Sequence, residues 1–343
     1  MKKIVLTGGG TAGHVTPNIA LLPALQAAGY EIAYVGSYEG IEKKLIADFN
    51  IPYTGISTGK FRRYLDPKNF SDPFRVMKGF VEARNYLKNY QPDVVFSKGG
   101  FVSVPVVRAA ASLHIPCIIH ESDMTPGLAN KLCIPVAEKV CCNFPETMKN
   151  IPADKAVLTG SPIRAELAQG SKLAGLNMCG FTANKPVIMV IGGSLGAANV
   201  NKAVRDALPK LLEDFQVVHL CGKDKIDNLL LNTPGYKQFE YIKAELKDIF
   251  AMADVVISRA GANAICELLA LKKPNILIPL PAASSRGDQL LNAASFEAQG
   301  YSIVLNEDDI TTNLLVDKVH ELYFNRQNYV DAMSKSHQMY MRT

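Results

Sequence analysis

The sequence has no long uncharged apolar run. A helix that spans a bilayer needs about 20 consecutive apolar residues, whereas the apolar runs here, such as 187–191 and 276–280, have the length of a β-strand. The N-terminus passes from Met1-Lys2-Lys3 directly into Ile4-Val5-Leu6 and glycines, which is too little apolar length for the core of a signal peptide. The sequence therefore predicts a cytoplasmic protein without a transmembrane helix.

The cysteines lack the spacing of a zinc site or a disulfide framework. There are seven of them, an odd number, and no Cys-x-x-Cys pair or Cys/His spacing occurs: Cys117, Cys133, Cys141, Cys142, Cys179, Cys221 and Cys266. Most lie within apolar segments, which is typical of small buried side chains in a reducing compartment. We therefore predict that the cysteines form no zinc site.

Short apolar runs alternate with stretches of helical periodicity along the whole chain. Strands that alternate with helices form parallel sheets through βαβ units, and 343 residues are enough for two domains of about 150 residues each. The sequence predicts an α/β fold with two doubly wound Rossmann-like domains that face each other across a cleft, at 1–162 and 163–325. A last helix, 326–343, is predicted to pack back on the first domain. The predicted strands are 3–7, 31–35, 93–97, 117–120, 139–143, 156–159, 186–191, 216–221, 239–242, 254–258, 274–279 and 301–305.

The net charge of +5 is concentrated in one stretch. From Lys60 to Lys88 there are eight basic and three acidic residues, a difference of +5. A solvated helix, a nucleic-acid site and an anionic membrane surface all fit such a stretch, and each basic residue near a membrane contributes about 1 kcal/mol. Large apolar side chains among the cations favour the membrane, and nothing else in the chain is typical of a nucleic-acid module. The predicted membrane patch comprises Phe70, Phe74, Arg75, Lys78 and Phe80.

Three glycine-rich turns each follow a predicted strand and precede a helix. They are Gly-Gly-Gly-Thr-Ala-Gly-His at 8–14, Lys-Gly-Gly-Phe at 98–101 and Gly-Gly-Ser-Leu-Gly-Ala at 192–197. Glycine lets the backbone approach a ligand closely, and the N–H groups at a helix start attract phosphate. Ligands of open parallel sheets bind at these strand ends. The three turns together predict an anionic-ligand site in the cleft.

The first turn also fits a nicotinamide-dependent oxidoreductase. The spacing of Gly8, Gly10 and Gly13 matches a dinucleotide fingerprint, which expects an acid at the end of the second strand. That strand ends in Val-Gly-Ser, and Glu39 comes only beyond it. The match to this class is therefore incomplete.

The third turn also fits a hydrolase. Its spacing, Gly192-x-Ser194-x-Gly196, matches a nucleophile elbow, which needs an acid and a histidine later in the chain. His219, His320 and His337 are available, but none lies in a loop context that marks a catalytic base. A phosphate-binding cleft remains the better interpretation.

Several segments spread over nearly the whole chain carry a resemblance to a known family. They are Gly-Gly-Thr-Ala-Gly-His-Val-Thr-Pro at 9–17, Gly-Gly-Phe-Val-Ser-Val-Pro at 99–105, His-Glu-Ser-Asp at 120–123 with Pro-Gly-Leu-Ala-Asn at 126–130, the 192–197 turn, and Ser-Arg-Ala-Gly-Ala at 258–262 through Glu267. In this order they resemble the MurG family, the bacterial N-acetylglucosaminyltransferases that convert lipid I to lipid II in peptidoglycan synthesis. The resemblance implies a GT-B fold, in which the first domain binds the acceptor and the second binds the UDP-sugar. It also implies inversion at the anomeric carbon and no metal requirement for holding the diphosphate.

Sugar transfer needs a base on the acceptor hydroxyl and stabilisation of the leaving UDP. His14 ends the first glycine turn and can titrate near neutral pH, so it is a candidate for the base, for a ligand of the acceptor diphosphate, or for a helix cap. Glu121 follows the predicted strand 117–120 and is a second catalytic candidate beside a structural role. The acceptor or diphosphate loops are predicted at Gly10, Gly99 and Gly100.

The resemblance also implies a set of contacts to UDP-N-acetylglucosamine. Glu267 matches the acid that binds the two ribose hydroxyls, and the backbone of Ile242 would bind uracil after a strand that includes Tyr241. Ser194 and Arg164 would bind the diphosphate, although Arg164 also fits a surface position. The full predicted set is Thr11, Gly13, Asn130, Arg164, Ser194, Ile242, Glu267, Asp288 and Gln289, with Asn292 one turn further on.

Three positions depart from the family's usual residues. Ser161 stands where Asn is frequent, and Asp288 stands where some members have Gln. Ala264 replaces a frequent Thr, which would remove one hydrogen bond to phosphate. These departures leave the choice of donor open.

The resemblance implies transfer of N-acetylglucosamine from UDP-N-acetylglucosamine to the C4 hydroxyl of the muramyl sugar of lipid I. The enzyme would be peripheral on the cytoplasmic face of the cell membrane, with no tightly bound cofactor and no nucleic-acid partner. The alternatives are a related transferase with another lipid acceptor or nucleotide-sugar donor, an NAD-dependent oxidoreductase, and an inactive homologue that binds UDP without turnover.

Overall fold

A computed structural model describes residues 1–59, 68–192, 197–282 and 287–336, without the side chains of 68–73. The chain divides into two compact units, one formed by Met1–Arg164 and one that begins at Ala165. Each unit contains a parallel sheet with helices packed on it. The prediction of two doubly wound α/β domains is confirmed.

The first unit is built on a parallel sheet whose described strands follow the order β3-β2-β1-β4-β5-β6-β7. The strands are β1 (Lys2–Thr7), β2 (Tyr30–Ser37), β3 (Tyr53–Ile56), β4 (Val94–Ser97), β5 (Cys117–Glu121), β6 (Lys139–Cys142) and β7 (Ala156–Leu158). The helices are α1 (Thr16–Ala27), α2 (Ile41–Ile46), α3 (Lys68–Tyr90), α4 (Ser103–Ser112), α5 (Leu128–Cys133) and α6 (Pro145–Met148).

Alternate side chains of the first sheet enter two different cores. Val5 on β1 packs with residues of α3 and α4 on one face, whereas its neighbours Ile4 and Leu6 pack with residues of α1 on the other. Successive side chains of a strand point to opposite faces. Both faces of this parallel sheet are therefore buried, which explains why its strands are apolar at nearly every position.

The second unit repeats this design with the strand order β10-β9-β8-β11-β12-β13. Its strands are β8 (Val187–Ile191), β9 (Gln216–Leu220), β10 (Tyr236–Phe239), β11 (Val255–Ser258), β12 (Asn275–Leu277) and β13 (Ser302–Val304). Its helices are α7 (Lys172–Cys179), α8 (Ala198–Asp214), α9 (Leu246–Met252), α10 (Ala262–Ala270), α11 (Asp288–Ala298), α12 (Thr312–Phe324) and α13 (Arg326–Ser334).

The last helix, predicted at 326–343 to pack on the first domain, is described over Arg326–Ser334 as α13. The structure groups α13 with the second unit, where Met333 is buried and Tyr329 packs against the core formed by α8 and α12. Positions 337–343 lie outside the described residues.

The twelve predicted strands are found with small shifts at their ends, apart from one. The prediction of a strand at 239–242 is wrong, because the strand runs over Tyr236–Phe239 and Tyr241 lies beyond it. β3, Tyr53–Ile56, was not predicted, since a short edge strand with Thr54 and Gly55 has little apolar pattern.

All seven cysteines are buried and unpaired, as the sequence predicts. Burial raises the pKa of the Cys117 and Cys133 thiols to about 12. They contribute to packing as small apolar side chains.

Candidate functional site

The first glycine turn is fixed by buried polar side chains. The Tyr34 hydroxyl donates to the carbonyl oxygen of Gly8 at 2.7 Å, and the side-chain amide of Asn18 donates to the carbonyl oxygen of Thr7 at 3.1 Å. Burial raises the pKa of Tyr34 above its ordinary value, so the hydroxyl keeps its proton and remains a donor. These bonds hold the end of β1 and the start of the turn together.

Glu42 binds the same turn from α2. Its carboxylate accepts from the backbone N–H of Gly10 at 3.2 Å, from the N–H of Ser37 at 2.9 Å and from the Ser37 hydroxyl. The residue is fully buried, and a buried carboxylate requires donors of this kind. Its oxygens are committed to the turn and to the end of β2, so Glu42 does not supply the ribose-binding acid of a dinucleotide site. Sequence analysis missed Glu42, because a glutamate within a charged helical stretch is usually solvent-exposed.

His14 lies in a single 3₁₀ turn, Ala12–His14, between the glycines and α1. The Thr11 hydroxyl lies 3.0 Å from Nδ1 of its ring. This contact orients the imidazole at the carboxyl end of the sheet, while both residues retain exposed surface. The sequence predicted Thr11 for donor binding and His14 for catalysis. The structure shows that their side chains are in hydrogen-bond contact.

The second glycine turn lies directly against the first. The N–H of Gly9 donates to the carbonyl of Gly99 at 3.3 Å. A Cβ on Gly100 would lie 2.3 Å from the carbonyl oxygen of Gly9 and 3.3 Å from Nδ1 of His14. A Cβ on Gly99 would lie 3.4 Å from the side-chain oxygen of Asn130. The absence of side chains at both positions allows the two turns to meet.

Four predicted site residues are thus brought together at one edge of the first sheet: His14, Gly99, Gly100 and Asn130. They follow β1, β4 and β5, which are adjacent strands. The strand order reverses between β1 and β4, and open α/β sheets bind ligands at such a switch point. The position fits a ligand site of the first unit.

Glu121 and Asn130 form a buried pair that organises the loop after β5. One Glu121 oxygen accepts from the N–H of Asp123 at 2.9 Å, and the other accepts from the N–H of Gly127 at 3.0 Å and from the Asn130 amide at 2.8 Å. Three donors therefore bind the carboxylate. The geometry favours the structural role of Glu121 that the sequence left open beside catalysis.

Lys98 and His120, two residues to which sequence analysis gave no role, form a second buried pair. The Lys98 ammonium lies 2.9 Å from Nδ1 of His120 and also contacts the Ser122 hydroxyl, while Nε2 of His120 lies 2.9 Å from the carbonyl of Gly160. An ammonium only donates, so Nδ1 accepts and Nε2–H donates to Gly160. Burial and the charge of Lys98 lower the pKa of His120 well below its ordinary value. His120 is therefore a neutral structural residue.

In the second unit the strand order reverses between β8 and β11, and the predicted donor contacts follow β11 and β12. Glu267 lies half-buried on α10, which begins directly after the turn 258–261. Asp288 and Gln289 are the first two residues of α11. β8 ends at Ile191, at the same edge of the sheet, and Ser194 beyond it lies outside the described residues.

Helix α11 is bound to both neighbouring segments through side chains that the sequence assigned to the sugar. The Gln289 carboxamide oxygen accepts from the N–H of Leu280 at 3.1 Å, and the Asn292 amide donates to the carbonyl of Ala260 at 3.2 Å. Asn292 is 1% exposed. These bonds fix the start of α11 relative to the segments after β11 and β12.

The remaining donor contacts occupy loops. Ile242 is half-buried in the segment between β10 and α9, three residues beyond the strand end, and Tyr241 beside it is 60% exposed. Arg164 is half-buried in the segment after β7. Gly13, also predicted for the donor, lies within the Ala12–His14 turn.

The predicted membrane patch falls on α3, Lys68–Tyr90. Phe74 is 79% exposed, and Arg75 and Lys78 are exposed beside it. Phe80 is half-buried and packs against the core that includes Ala83 and Leu87. Residues 74, 77, 78 and 81 share the face of α3 that points away from this core. Met77 and Val81 on that face are 65% and 52% exposed. The structure does not describe the side chain of Phe70.

The described histidines proposed for a hydrolase triad have other partners. His219 is buried on β9, with Nδ1 2.8 Å from the Tyr236 hydroxyl and Nε2 2.9 Å from the side-chain oxygen of Asn201. Burial lowers its pKa to about 3. His320 on α12 lies 3.0 Å from Asp214. His337 lies outside the described residues.

Within the described ranges, no group of three or more His, Cys, Asp and Glu side chains is arranged to hold a metal ion. In the same part of the chain, no helix combines the length and apolar character needed to cross a bilayer.

The chain matches known proteins over nearly its whole length. The N-terminal domain of glycosyltransferase family 28 matches residues 4–142, and its C-terminal domain matches residues 187–342. The UDP-N-acetylglucosamine–N-acetylmuramyl-(pentapeptide) pyrophosphoryl-undecaprenol N-acetylglucosamine transferase of Lachnospira eligens is 66% identical over 98% of this chain and 96% of its own length. The enzyme of the same name from Lachnoclostridium phytofermentans is 65% identical over 98% of this chain and 95% of its own.

A solved structure is also similar. The crystal structure of Acinetobacter baumannii MurG superposes with a TM-score of 0.77 at 29% identity, covering 99% of this chain and 96% of that one. This similarity confirms the GT-B fold expected from the motifs. The chain belongs to the MurG family within glycosyltransferase family 28.

Proposed function

We propose that this chain transfers N-acetylglucosamine from UDP-N-acetylglucosamine to lipid I, which gives lipid II. The observation that carries the proposal is the 66% identity, over 98% of the chain, to an enzyme named for this transfer. The convergence of two glycine turns, His14 and Asn130 at the switch point of the first sheet supports it, since it provides a place for an anionic acceptor.

The chemistry is a displacement at the anomeric carbon. The C4 hydroxyl oxygen of the muramyl sugar forms the new bond, the bond from that carbon to the phosphate oxygen breaks, and UDP leaves with the electron pair. Attack from the face opposite to UDP inverts the configuration. The hydroxyl proton passes to a base, for which we propose His14. Thr11, 3.0 Å from Nδ1 of the ring, would hold the imidazole in the reactive orientation.

His14 has a second possible role, as a ligand of the acceptor diphosphate. A base changes the pH dependence of kcat/KM, whereas a phosphate ligand changes mainly the KM for the acceptor. In His14→Gln the acidic limb of the pH profile would disappear if His14 is the base. An intact limb with a raised acceptor KM would assign the diphosphate role.

The donor would bind the second unit. Glu267 would accept from the two ribose hydroxyls, and Asp288 and Gln289 would bind the hydroxyls of the sugar. The Gln289 oxygen already accepts from Leu280, so its contact would be made by the amide nitrogen. The backbone of Ile242 would bind uracil.

The leaving diphosphate would be stabilised by one cation and by backbone N–H groups. We propose Arg164 for the cation and the turn that contains Ser194 for the amides. Thr11, Gly13 and Asn130 would complete the donor contacts, and Gly10 with the second turn would face the acceptor diphosphate. No bound metal is part of this proposal, so turnover should persist in EDTA.

The lipid acceptor places the reaction at a membrane surface. We propose that the exposed face of α3, formed by Phe74, Met77 and Val81 with Arg75 and Lys78, docks on an anionic leaflet at the cytoplasmic face. Apolar side chains beside cations suit this surface, because the hydrocarbon accepts the former and anionic headgroups attract the latter.

Transfer of radiolabelled N-acetylglucosamine from its UDP donor to a short-chain lipid I analogue tests the proposal. We expect turnover by the native chain, loss of turnover with retained UDP binding in His14→Ala, and weakened UDP binding in Glu267→Ala. Glu297→Ala is the control, because it removes an exposed glutamate from another helix of the same unit, α11. UDP binding without transfer would overturn lipid I as the acceptor.

A further inference from the structure

A buried ion pair joins two segments at the carboxyl edge of the second sheet. Arg259, directly after β11, contacts the carboxylate of Glu307 through Nη2, and the two side chains are only 9% and 8% exposed. Glu307 lies in the short 3₁₀ turn Glu307–Asp309, beyond β13. Nothing in the motifs or the donor contacts above assigns it a role.

Arg259 extends the connection to a third segment. Its Nη1 donates to the carbonyl oxygens of Ile278 at 3.0 Å and Pro279 at 3.3 Å, just beyond β12. One guanidinium therefore links the segments that follow β11, β12 and β13. Planar guanidinium donors suit such a multiple contact better than an ammonium would.

Glu307 extends the connection to a fourth segment. Its Oε1 accepts from the side-chain amide of Asn199 at 2.5 Å. Asn199 is the second residue of α8, the helix that follows the third glycine turn. The two oxygens of Glu307 thus bind the start of α8 on one side and Arg259 on the other.

The same segments carry the proposed donor contacts. The turn 258–261 leads into the helix of Glu267, and Ala260 within it accepts from Asn292 on α11. Leu280, next to the carbonyls bound by Arg259, donates to Gln289. The segments that carry the proposed ribose and sugar contacts are therefore connected to the loops that Arg259 and Glu307 join.

We propose that Glu307 is a positioning residue of the donor site, which fixes the start of α8 relative to the 258–261 turn. The inference rests on the proposed function, since it takes the donor to be a UDP-sugar bound at this edge. Removing Glu307 leaves a buried guanidinium without its counter-charge, and relief comes from movement of the loops that hold it. A misplacement of about 1 Å that originates far from the chemistry can lower the rate of an enzyme about 100-fold.

Donor affinity separates positioning from a purely structural role. We would measure the Kd for UDP by calorimetry, and the KM for UDP-N-acetylglucosamine and for the lipid I analogue, in Glu307→Ala and Glu307→Gln. Asp308→Asn removes an exposed charge from the same 3₁₀ turn and serves as the matched control. Val319→Ala, a buried position of α12 in the core, serves as a control for lost stability alone.

We expect Glu307→Ala to raise the Kd for UDP and the donor KM at least about fivefold, with the acceptor KM unchanged and the Gln variant intermediate. Asp308→Asn and Val319→Ala should leave the Kd unchanged. Asn199→Ala should weaken UDP binding in the native background and add little to Glu307→Ala, because the two side chains act through one contact. An unchanged Kd in folded Glu307→Ala, or a Kd raised equally by Val319→Ala, would overturn the proposal.

Measurements on the native chain separate a failure of the proposed function from a failure of the Glu307 proposal. UDP binding without transfer to lipid I would reject the acceptor and leave the Glu307 comparison valid through Kd. If the native chain bound no UDP, the proposed function and this inference would both be rejected.

Discussion

The ammonium nitrogen of Lys98 lies 2.9 Å from Nδ1 of His120, and both side chains are buried at the carboxyl edge of the first sheet. Burial lowers the pKa of the imidazole, and the ammonium lowers it further, because a proton on Nδ1 would face a positive charge at hydrogen-bond distance. His219 in the second unit is also neutral, because burial lowers its pKa to about 3. Both histidines therefore make the stability of the fold depend on pH.

We predict that the stability of the native chain falls as the pH is lowered below about 6.5, the ordinary histidine pKa. Both folded pKa values lie below the unfolded value, so the unfolded chain binds more protons in this window, which lowers its free energy relative to the folded chain. The stability that depends on neutral His120 and His219 is fully present above about pH 6.5. Urea unfolding between pH 7.5 and 5.0, with His219→Gln as a variant that lacks one of the groups, measures the effect. A steeper fall in His219→Gln than in the native chain would contradict it.

His320 should behave in the opposite sense. Burial alone would lower its pKa, but hydrogen bonds to the Val316 carbonyl and to Asp214 raise it above the ordinary value. Its contribution to stability is present below about pH 6.5 and is lost as the pH rises through the folded pKa. In a proton NMR titration, the midpoint of the His320 ring signal should lie above pH 6.5. The ring signals of His120 and His219 should stay constant from pH 8 to 5. Asp214→Asn should move the His320 midpoint down.

Gly100→Ala should abolish turnover, whereas Gly29→Ala should leave it largely intact. The two glycines have similar positive φ angles, +83° and +78°, so the backbone strain of a Cβ is matched. They differ in space, because a Cβ at Gly100 meets the Gly9 carbonyl at 2.3 Å and one at Gly29 meets nothing within 4 Å. Gly29→Ala should cost about 1–2 kcal/mol of stability from strain alone. Transfer rates and melting temperatures of both variants test the contrast, and equal loss of activity would show that strain dominates.

Glu42→Ala should lower the free energy of unfolding by about 3 kcal/mol. The change removes a buried carboxylate that accepts from the N–H groups of Gly10 and Ser37, and a hydrogen bond to a charged group contributes about 1.5–3 kcal/mol. Glu39→Ala removes an exposed carboxylate three residues earlier and should stay within about 0.5 kcal/mol. Chemical denaturation of the two variants makes the comparison. A loss in Glu42→Ala no larger than in Glu39→Ala would show that water replaces the carboxylate.

Phe74→Ser should weaken binding to anionic vesicles by about tenfold or more, since a buried phenylalanine contributes about 1.5–3 kcal/mol. Phe324→Ser is the matched control, because Phe324 on α12 is 75% exposed and Phe74 is 79% exposed. Co-sedimentation with phosphatidylglycerol vesicles at two salt concentrations measures the binding. Equal loss in both variants would mean that general exposed apolar surface, rather than the α3 face, contacts the lipid.

The sequence predicts the fold well where local pattern is strong. The strand at 187–191 and the helix after it were predictable from apolar runs and period, because parallel strands are buried on both faces. The edge strand Tyr53–Ile56 was not, since its ends depend on pairing with β2 rather than on its own composition. The same holds for β10, whose end at Phe239 is set by its register with β9.

Sequence patterns predicted the parts of the site that lie in glycine-rich turns. They did not predict the residues that reach the site through contacts between distant positions. His14 and the Gly99-Gly100 turn could be found from their positions after strands. The roles of Glu42 and Glu307 could not, because their partners at Gly10 and Arg259 lie 32 and 48 positions away and only folding brings them together. Local patterns report which backbone turns can receive a ligand, but they do not report which distant side chain fixes a turn in place.

The buried cysteines have a practical consequence for spectroscopy. A thiolate is the species that reacts with maleimides, and burial raises the pKa of Cys142 to about 12 and that of Cys179 to about 11. The native thiols should therefore remain unlabelled in the folded chain. A cysteine introduced at Tyr241, which is 60% exposed beside Ile242, would then carry a single fluorophore next to the proposed uracil position. Nucleotide arrival could be followed by fluorescence without removing any native cysteine.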